Sequence, residues 1–225
     1  NAGFNTVSLA SNHAFDKHEQ GVINSVTYWK SKNVTYNGQA ISQEDRDIIP
    51  IVTKNNITYA FLSYTYGTNG INVPINESYM VNVYSDQQAK LDIDKVKDKV
   101  DVIIVAMHWG TEYMQTPTDE QVREAQYLAD LGVNIIIGNH PHSLQPITWL
   151  NNNNTLVIYS LGNFISNQGI LYSTIGYKGV IGAFATLNID KTTFNGESKI
   201  SLDNLEVELL YTYKNSQQRY YKIIP

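Results

Sequence analysis

The chain has 225 residues, with 16 basic and 21 acidic side chains and a formal net charge of −5. This length predicts a single domain over residues 1–225, with room for a sizeable hydrophobic core. A mildly acidic chain without a basic tract excludes an extended nucleic-acid-binding surface, so we predict no nucleic-acid partner. The absence of cysteine excludes disulfides, zinc-thiolate sites and a cysteine nucleophile.

The first predicted strand begins almost at the start of the chain. Residues 1–4, Asn-Ala-Gly-Phe, lead directly into the strand Thr6–Ala10, and Gly3 is typical of a helix end that feeds a strand. We therefore expect this chain to be the C-terminal portion of a longer natural protein. A helix from about Lys17 to Lys32 follows the strand, because its apolar residues recur at helical spacing.

The middle of the chain continues with short strands and helices. Residues 48–53 and 57–64 alternate apolar and polar side chains around Lys54-Asn55-Asn56, which predicts a β-hairpin with an Asn-Asn turn. Residues 65–85 predict a long loop with some strand. Asp86 to Lys99 predicts an exposed helix, and a buried strand follows at 101–107.

A second helix lies between two apolar runs. Thr116-Pro117-Thr118-Asp119 predicts a helix start, since Thr can cap, Pro suits the first helical position and an acidic side chain favours the first turn. Its predicted apolar stripe is Val122, Ala125, Leu128 and Ala129. Gly132 ends the helix before a strand at 133–137. This alternation predicts an α/β fold with parallel strands.

The last third of the chain is predicted to be mostly strand. Residues 155–161 form a buried apolar run, and the pattern is β-rich from Gly179 onward, including 183–189 and 205–213. The polar stretch Asn151–Asn154 predicts a turn.

Four of the five histidines follow the ends of predicted strands. Ligands in open α/β sheets bind just beyond the carboxyl ends of the strands. Histidine is the commonest metal ligand and titrates near neutral pH. The residues at these strand ends are Asn12, His13, His108, His140 and His142. Their shared position favours a catalytic or metal site over scattered surface histidines.

The segment His140-Pro141-His142 is the clearest candidate for metal binding. Proline disfavours helical geometry at the preceding residue, so we expect both imidazoles on extended backbone. Such a pair can address one or two metal ions. The alternative is a surface loop with two solvated histidines.

Three more side chains near these strand ends have alternative interpretations. Asp16 lies three residues after His13 and can orient that ring by accepting a proton from one ring nitrogen. It can equally be a helix-capping carboxylate. Glu112 is either a ligand or substrate contact, or a solvated loop residue. Trp109 is expected to form a wall of the pocket.

Four motifs in series carry a resemblance to a known family. They are Ser11-Asn12-His13-Ala14-Phe15-Asp16, His108-Trp109-Gly110-Thr111-Glu112-Tyr113, Gly138-Asn139-His140-Pro141-His142-Ser143-Leu144-Gln145-Pro146 and Tyr159-Ser160-Leu161-Gly162-Asn163-Phe164. Together they resemble the bacterial capsule synthesis protein family, the CapA- or PgsA-type poly-γ-glutamate capsule biosynthesis proteins. The resemblance implies a metallophosphoesterase-like α/β/β/α sandwich, of which this chain lacks the first strands.

The resemblance also implies roles for individual residues. The positions that match metal ligands are Asn12, His108, His140 and His142. His13 matches the histidine that protonates the leaving group, and Asp16 matches its orienting partner. The positions expected to contact substrate are Trp109, Glu112 and Asn163. The implied cofactor is a pair of divalent ions, of Mn, Zn, Fe or Mg, with a bridging hydroxide that attacks phosphorus.

The family's first two motifs, which supply acidic ligands, are missing from this chain. We therefore expect the metal to bind weakly or to be absent. Three functions stay open: capsule biosynthesis or export, an extracellular metal-dependent phosphatase or phosphodiesterase, and a non-catalytic scaffold that binds polymer or synthase subunits. The expected partners are an anionic polymer or phosphate-containing substrate and the membrane subunits of a capsule synthase. The expected location is the extracellular face of the bacterial membrane, reached through a missing N-terminal anchor.

Overall fold

The computed structural model describes residues 3–168, 176–214 and 221–224. The chain divides into two compact units, which are described separately. Unit 1 comprises Asn1–His108 and Asp130–Ile135, and unit 2 comprises Trp109–Ala129 and Ile136–Pro225. The prediction of one domain over residues 1–225 stays a prediction. Within the described part of the chain, no helix has the length and apolar character needed to cross a membrane.

Unit 1 begins with a strand–helix–strand crossover. Strand β1 (Thr6–Ser8) pairs in parallel with β2 (Thr35–Asn37), and helix α1 (His18–Lys30) connects them. Val22 and Val26, one helical turn apart, are fully buried. Their cluster also contains Phe15, Met80 and Val81. This packing fixes the start of α1 and so the loop that joins it to β1.

The predicted hairpin is present. Strands β3 (Ile51–Lys54) and β4 (Ile57–Thr65) pair antiparallel. Asn55 and Asn56 have φ of 51° and 63°. Two consecutive positive φ values match the turn that fits the twist of a two-residue hairpin, and asparagine tolerates them better than most residues.

The next crossover ends at a candidate histidine. Strand β5 (Val102–His108) pairs in parallel with β4, and Thr65 is opposite His108. Helix α3 (Asp86–Val96) precedes β5, and the Ser85 hydroxyl caps it by accepting the Gln88 N–H at 3.2 Å. The β4 and β5 strands therefore end together, at the edge where His108 lies.

Two short helices of unit 1 were not predicted. Helix α2 (Gln43–Asp47) is capped by Ser42, whose hydroxyl accepts the Asp45 N–H at 3.1 Å. A 3₁₀ helix, Ile75–Met80, interrupts the stretch predicted to be a long loop. Both elements lack the length at which helical periodicity becomes visible in a sequence.

A buried ion pair connects α2 and α3. Arg46 Nη2 lies 2.6 Å from Asp92 Oδ2, and the hydroxyl of Tyr64 donates to the same oxygen at 2.8 Å. Asp92 is fully buried, so the prediction of an exposed helix is wrong at this position. Burial, and then the nearby Asp92 carboxylate, hold the pKa of the Tyr64 phenol well above its usual value. Tyr64 therefore remains a hydrogen-bond donor.

In unit 2, the second predicted helix starts later than expected, with Thr118 rather than Thr116 as its cap. Helix α4 (Asp119–Asp130) begins after Thr118, whose hydroxyl accepts the Gln121 N–H at 3.2 Å. The predicted stripe is also wrong at Val122, which is half exposed. The buried face consists of Gln121, Glu124, Ala125, Leu128 and Ala129.

The remaining strands of unit 2 form two groups. Strands β6 (Ile135–Asn139), β7 (Ile147–Leu150) and β8 (Thr155–Ile158) have the order β6-β8-β7, with β7 and β8 antiparallel. All four residues of β8 are buried. The predicted polar turn Asn151–Asn154 connects β7 to β8.

A long antiparallel hairpin follows. Strand β9 (Ile181–Phe194) pairs with β10 (Glu197–Lys214), and β10 pairs with β11 (Tyr221–Ile224). Asn195 and Gly196, both at positive φ, form the tight turn between β9 and β10. The α/β class predicted from the sequence is confirmed.

Candidate functional site

Asn12 and His108 are in direct contact in unit 1. Asn12 follows β1 and is 5% exposed. Its Oδ1 lies 2.9 Å from Nε2 of His108, the last residue of β5, and its Nδ2 donates to Asn69 Oδ1 at 3.1 Å. The His108 ring stacks on Tyr66, with ring centroids 6.2 Å apart. Oδ1 of Asn12 is thus an acceptor that faces a histidine nitrogen.

His13 and Asp16 form the contact expected from their spacing. Nδ1 of His13 lies 2.7 Å from Oδ2 of Asp16. Helix α1 has no side-chain cap, and its cap position is Lys17, so Asp16 does not act as the alternative capping carboxylate. The side chains of His13 and Asp16 are 67% and 42% exposed. The orientation of His13 toward a shared pocket stays a prediction.

Sequence reasoning missed Asn69. This residue follows β4 and connects the two candidate residues of the first motif: its Oδ1 accepts from Asn12, and its Nδ2 lies 3.4 Å from His13 Nδ1. The signal was present, because Asn69 follows a strand end just as His13 and His108 do. The sequence pattern placed it instead in a long loop with some strand, over residues 65–85.

In unit 2, the backbone at the two histidines of the third motif is not extended. His140 and His142 have φ of 99° and 56°. The prediction of extended backbone is therefore wrong: proline disfavours the right-handed helical region for the residue before it, but does not exclude positive φ. Tyr113, at φ of 63°, donates its N–H to the carbonyl of Pro141 at 2.6 Å. Such backbone costs about 1–3 kcal/mol per residue and is concentrated at functional sites.

The His142 side chain lies among polar and aromatic side chains of unit 2. Nδ1 lies 2.8 Å from Asn163 Oδ1, and the ring stacks on Tyr113 with centroids 5.8 Å apart. Nε2 lies 3.8 Å from Glu112 Oε1, which is beyond hydrogen-bond distance. His140, whose ring centroid is 6.2 Å from that of His142, is buried.

The Tyr113 phenol is expected to stay neutral at physiological pH. Partial burial raises its pKa, and the negative charge of Glu112 raises it further. A neutral phenol keeps its proton, so the hydroxyl group can both donate and accept hydrogen bonds beside His142.

Trp109 is a packing residue in this conformation. It is 2% exposed, and its Nε1–H donates to the carbonyl of Tyr159 at 3.0 Å. A Cβ atom on Gly138 would lie 2.0 Å from that carbonyl oxygen and 2.4 Å from the indole nitrogen. Only glycine fits here, which explains its place in the third motif. The roles of Trp109, Glu112 and Asn163 as substrate contacts stay predictions.

A buried amide network supports the loop that carries Glu112 and Tyr113. Ser143 Oγ and Gln145 Nε2 donate to the carbonyl of Met114 at 2.8 and 3.0 Å. Gln121 donates in turn to Gln145 Oε1 at 2.9 Å. From the sequence, Gln145 was included only as part of the third motif, and Gln121 was given no role. A buried polar residue gives no periodic signal by which it could be found.

The donors within each unit do not complete a divalent-metal site by themselves. Across residues 3–168, 176–214 and 221–224, no group of three or more His, Cys, Asp or Glu side chains is placed to hold a metal ion. Unit 1 offers Asn12 and His108, and unit 2 offers His140 and His142. Neither pair includes a carboxylate, whereas carboxylates usually share in binding adjacent divalent ions.

A groove of about 460 Å³ in unit 1 lies away from these residues. It is bounded by Lys30, Asp45, Arg46 and residues of β2 and β3, and includes none of the candidate residues of unit 1. The groove and the strand-end motifs therefore suggest two different locations for a functional site in unit 1. The motifs carry more weight, because they combine side chains able to bind and transfer protons.

Sequence comparison relates the chain to capsule proteins. The family described as bacterial capsule synthesis protein PGA_cap matches residues 1–168, a segment that contains every candidate residue named above. The chain is 32% identical over 168 residues to PGA biosynthesis protein CapA of Bacillus subtilis (strain 168), covering 74% of this chain and 43% of that protein. It is 31% identical over 173 residues to capsule biosynthesis protein CapA of Bacillus anthracis, covering 75% and 41%. The chain thus spans less than half the length of these relatives.

Comparison of structures shows the fold. A novel phosphatase from Mycoplasma pneumoniae superposes with a TM-score of 0.55 at 13% identity, over 92% of this chain and 72% of that chain. A putative 5'-nucleotidase from Staphylococcus aureus gives 0.53 at 16% identity, over 96% and 39%. These likenesses confirm the metallophosphoesterase-like fold predicted from the motifs. The family match spans more than half of the residues of this chain, so the chain belongs to the bacterial capsule synthesis protein PGA_cap family.

Proposed function

We propose that this chain is the metallophosphoesterase-like part of a capsule biosynthesis protein that serves in making, exporting or attaching an anionic polymer such as poly-γ-glutamate. The observation that carries the proposal is the family match over residues 1–168, together with relatives named for PGA and capsule biosynthesis. The strand-end residues of both units lie within that segment.

The geometry of the candidate residues favours a working site over a purely structural role. The amide of Asn12 is buried against His108, and the exposed His13 has a carboxylate partner in Asp16. In unit 2, His140 and His142 occupy strained backbone. A fold that needed these positions only for packing would not be expected to retain polar side chains and backbone strain there.

The proposal extends to location and partners. The chain would act at the extracellular face of the bacterial membrane, connected to it by an N-terminal anchor. Its partners would be the polymer, or a phosphate-containing substrate, and the membrane subunits of the capsule synthase. A capsule polymer is finished outside the membrane, so a protein that attaches or exports it must reach that side.

Deletion and complementation in the encoding bacterium test the proposed function. The coding sequence is deleted, and surface polymer is measured by amount and by its glutamate content after acid hydrolysis. Complementation uses the natural protein, Asn12→Ala, His108→Ala and, as a matched control, His18→Ala, which changes an exposed histidine outside the motifs. Protease treatment of intact cells tests the location.

We expect deletion to abolish surface polymer, and the Asn12 and His108 variants to restore little of it, while the His18 variant restores it fully. Unchanged polymer after deletion would contradict a capsule role. Full restoration by every variant would instead support a scaffold whose strand-end residues do no chemistry.

A second candidate, an extracellular phosphatase or phosphodiesterase, is favoured by the His13–Asp16 contact of 2.7 Å. Asp16 can orient His13 as a general acid that protonates a leaving oxygen, a role typically worth about 10²- to 10⁴-fold in rate. This candidate also requires divalent metal, of Mn, Zn, Fe or Mg, as a Lewis acid.

Turnover of p-nitrophenyl phosphate and its bis-ester separates the second candidate from the scaffold. The purified protein is assayed with each metal and its metal content is measured. We expect His13→Ala to slow turnover at least about 100-fold with unchanged metal content, and His18→Ala to leave both unchanged. Absence of turnover in a metal-loaded protein would rule out the hydrolase.

A further inference from the structure

Both ends of the Asn163 side-chain amide make polar contacts within unit 2. Its Nδ2 group donates to the carbonyl of Gly179 at 2.9 Å, to Gln168 Oε1 at 3.0 Å and to Ser166 Oγ at 3.2 Å. Its Oδ1 lies 2.8 Å from Nδ1 of His142. Asn163 thus connects a histidine of the third motif to the chain around Gly179.

One of these contacts fixes which end of the amide faces His142. A backbone carbonyl can only accept a hydrogen bond, so the atom beside Gly179 must be the amide nitrogen. The opposite assignment would place the amide oxygen against three oxygen atoms. The oxygen of Asn163 therefore faces His142, and the hydrogen-bond network itself determines this orientation.

The orientation of Asn163 in turn selects the tautomer of His142. An amide oxygen accepts and never donates, so Nδ1 of His142 must carry the proton of this hydrogen bond. In the neutral imidazole, one nitrogen carries the proton and the other carries the lone pair. Nε2, which faces Glu112 at 3.8 Å, is then the nitrogen with the lone pair.

Two further contacts hold the ring in this position. Tyr113 stacks on the His142 ring, and its hydroxyl lies 3.1 Å from Gln168 Nε2. Gln168 accepts from Asn163 through its other amide atom. The four side chains form a closed circuit, and turning the ring over would put a carbon atom in place of Nδ1 and lose the hydrogen bond to Asn163.

We propose that Asn163 is a positioning residue that holds neutral His142 in the Nδ1–H tautomer and leaves Nε2 as an electron-pair donor. A hydrogen-bond donor of the substrate would be the partner of Nε2. This role for Asn163 deepens the proposed function. It rests on that function in one respect, that His142 takes part in the chemistry. It replaces the expectation that Asn163 contacts substrate with a contact to His142.

Nuclear magnetic resonance of the ¹⁵N-labelled chain tests the tautomer without any ligand or activity. Long-range ¹H–¹⁵N correlations are recorded above the ordinary pKa of histidine, where the ring is neutral. His142→Gln identifies the His142 signals by their loss. We expect a protonated, pyrrole-type Nδ1 and a pyridine-type Nε2, whereas free imidazole side chains favour the Nε2–H form. A predominant Nε2–H form in the natural protein would overturn the proposal.

Replacing Asn163 tests the cause of that tautomer. Asn163→Ala should move the tautomer ratio toward Nε2–H by on the order of fivefold, the effect of one net hydrogen bond. Asn154→Ala, in the exposed turn before β8, is the matched control and should change nothing. An unchanged ratio in folded Asn163→Ala would also overturn the proposal. If Asn163→Ala does not fold, the tautomer of His142 in the natural protein decides.

The proposal and the proposed function can fail separately. Complementation with His142→Gln measures whether His142 matters for surface polymer. An Nδ1–H tautomer together with full polymer in His142→Gln would leave the positioning role intact and contradict the working role of His142. The Nε2–H tautomer with lost polymer would give the reverse result.

Discussion

The two units hold their candidate residues in different ways. In unit 1, Asn12, His13 and His108 have ordinary backbone and are held by short contacts between side chains. In unit 2, His140 and His142 occupy positive φ, and Nδ1 of His142 contacts the side-chain amide of Asn163, 21 positions along the chain. Local spacing is therefore enough to position His13 against Asp16, whereas the Asn12–His108 contact and the group in unit 2 depend on the surrounding fold.

The supports beneath the two groups differ as well. Unit 1 contains a fully buried carboxylate, Asp92, whose charge is balanced by Arg46. Unit 2 instead relies on close approach of backbone at Gly138, where no side chain fits. Substitutions at Arg46 and Gly138, and then at the candidate residues themselves, test whether the two units differ in this way.

The largest effect is expected from Arg46→Met in unit 1. Removing the guanidinium leaves Asp92 buried with only the part-exposed Lys95, 3.9 Å away, as a cationic neighbour. Breaking a buried pair typically costs about 3–5 kcal/mol. Denaturant titration measures the free energy of unfolding. Arg46→Met/Asp92→Leu should recover most of the loss, since both charges are then gone. Lys90→Ala, which removes an exposed partner of Asp94, should cost under about 1 kcal/mol. An equal loss in the single and double variants would contradict this account.

Gly138→Ala should be nearly as damaging to unit 2. The added methyl group meets the carbonyl oxygen of Tyr159 and the indole of Trp109, and neither can move without disturbing β8 or the core. Overpacking of this kind costs about 1–3 kcal/mol, and contact with backbone favours the upper end. Gly67→Ala is the matched control, because its Cβ would meet nothing within 4 Å. Equal unfolding midpoints for the two variants would show that Gly138 has room.

Backbone strain should distinguish the two groups of candidate residues by about 1 kcal/mol in the free energy of unfolding. At His140, with φ of 99°, glycine should be more stable than alanine by roughly this amount, because only glycine adopts such φ at no steric cost. At His13, whose φ is not positive, the order should reverse by about 0.5–1 kcal/mol. Comparing Gly and Ala at each position cancels the loss of the histidine side chain. The same order at both positions would remove the contrast between the units.

The elements that the sequence predicted are those with local signals. The hairpin at Asn55 and Asn56 has a turn signature, and α1 has an apolar face one turn apart at Val22 and Val26. The His13–Asp16 contact follows from a three-residue spacing. Each of these depends on neighbours along the chain, so a pattern of residue types is sufficient to find it.

The features that the sequence did not predict depend on distant partners. The positive φ of His140 follows from how its loop is fixed, and no residue type marks it. Asn69 contacts Asn12 across 57 positions, and Asp92 is buried only because Arg46 and Tyr64 reach it. A polar residue in a loop or helix is ordinarily solvated, so its burial appears only once the packing is known.

The smallest effect on stability, and the sharpest division between stability and function, is expected at Asp16. The His13–Asp16 pair is largely exposed, and exposed pairs contribute about 0–1 kcal/mol, so Asp16→Ala should change the free energy of unfolding by less than about 0.5 kcal/mol. Asp47→Ala, which removes the exposed partner of Lys95, is the matched control for stability. If Asp16 orients a working His13, surface polymer should fall strongly in Asp16→Ala and stay normal in Asp47→Ala. A fall in both would indicate a general loss of folded protein. Normal polymer in both would show that the His13–Asp16 contact is structural, and the proposed chemistry would then rest on Asn12 and His108 in unit 1 and on the histidines of unit 2.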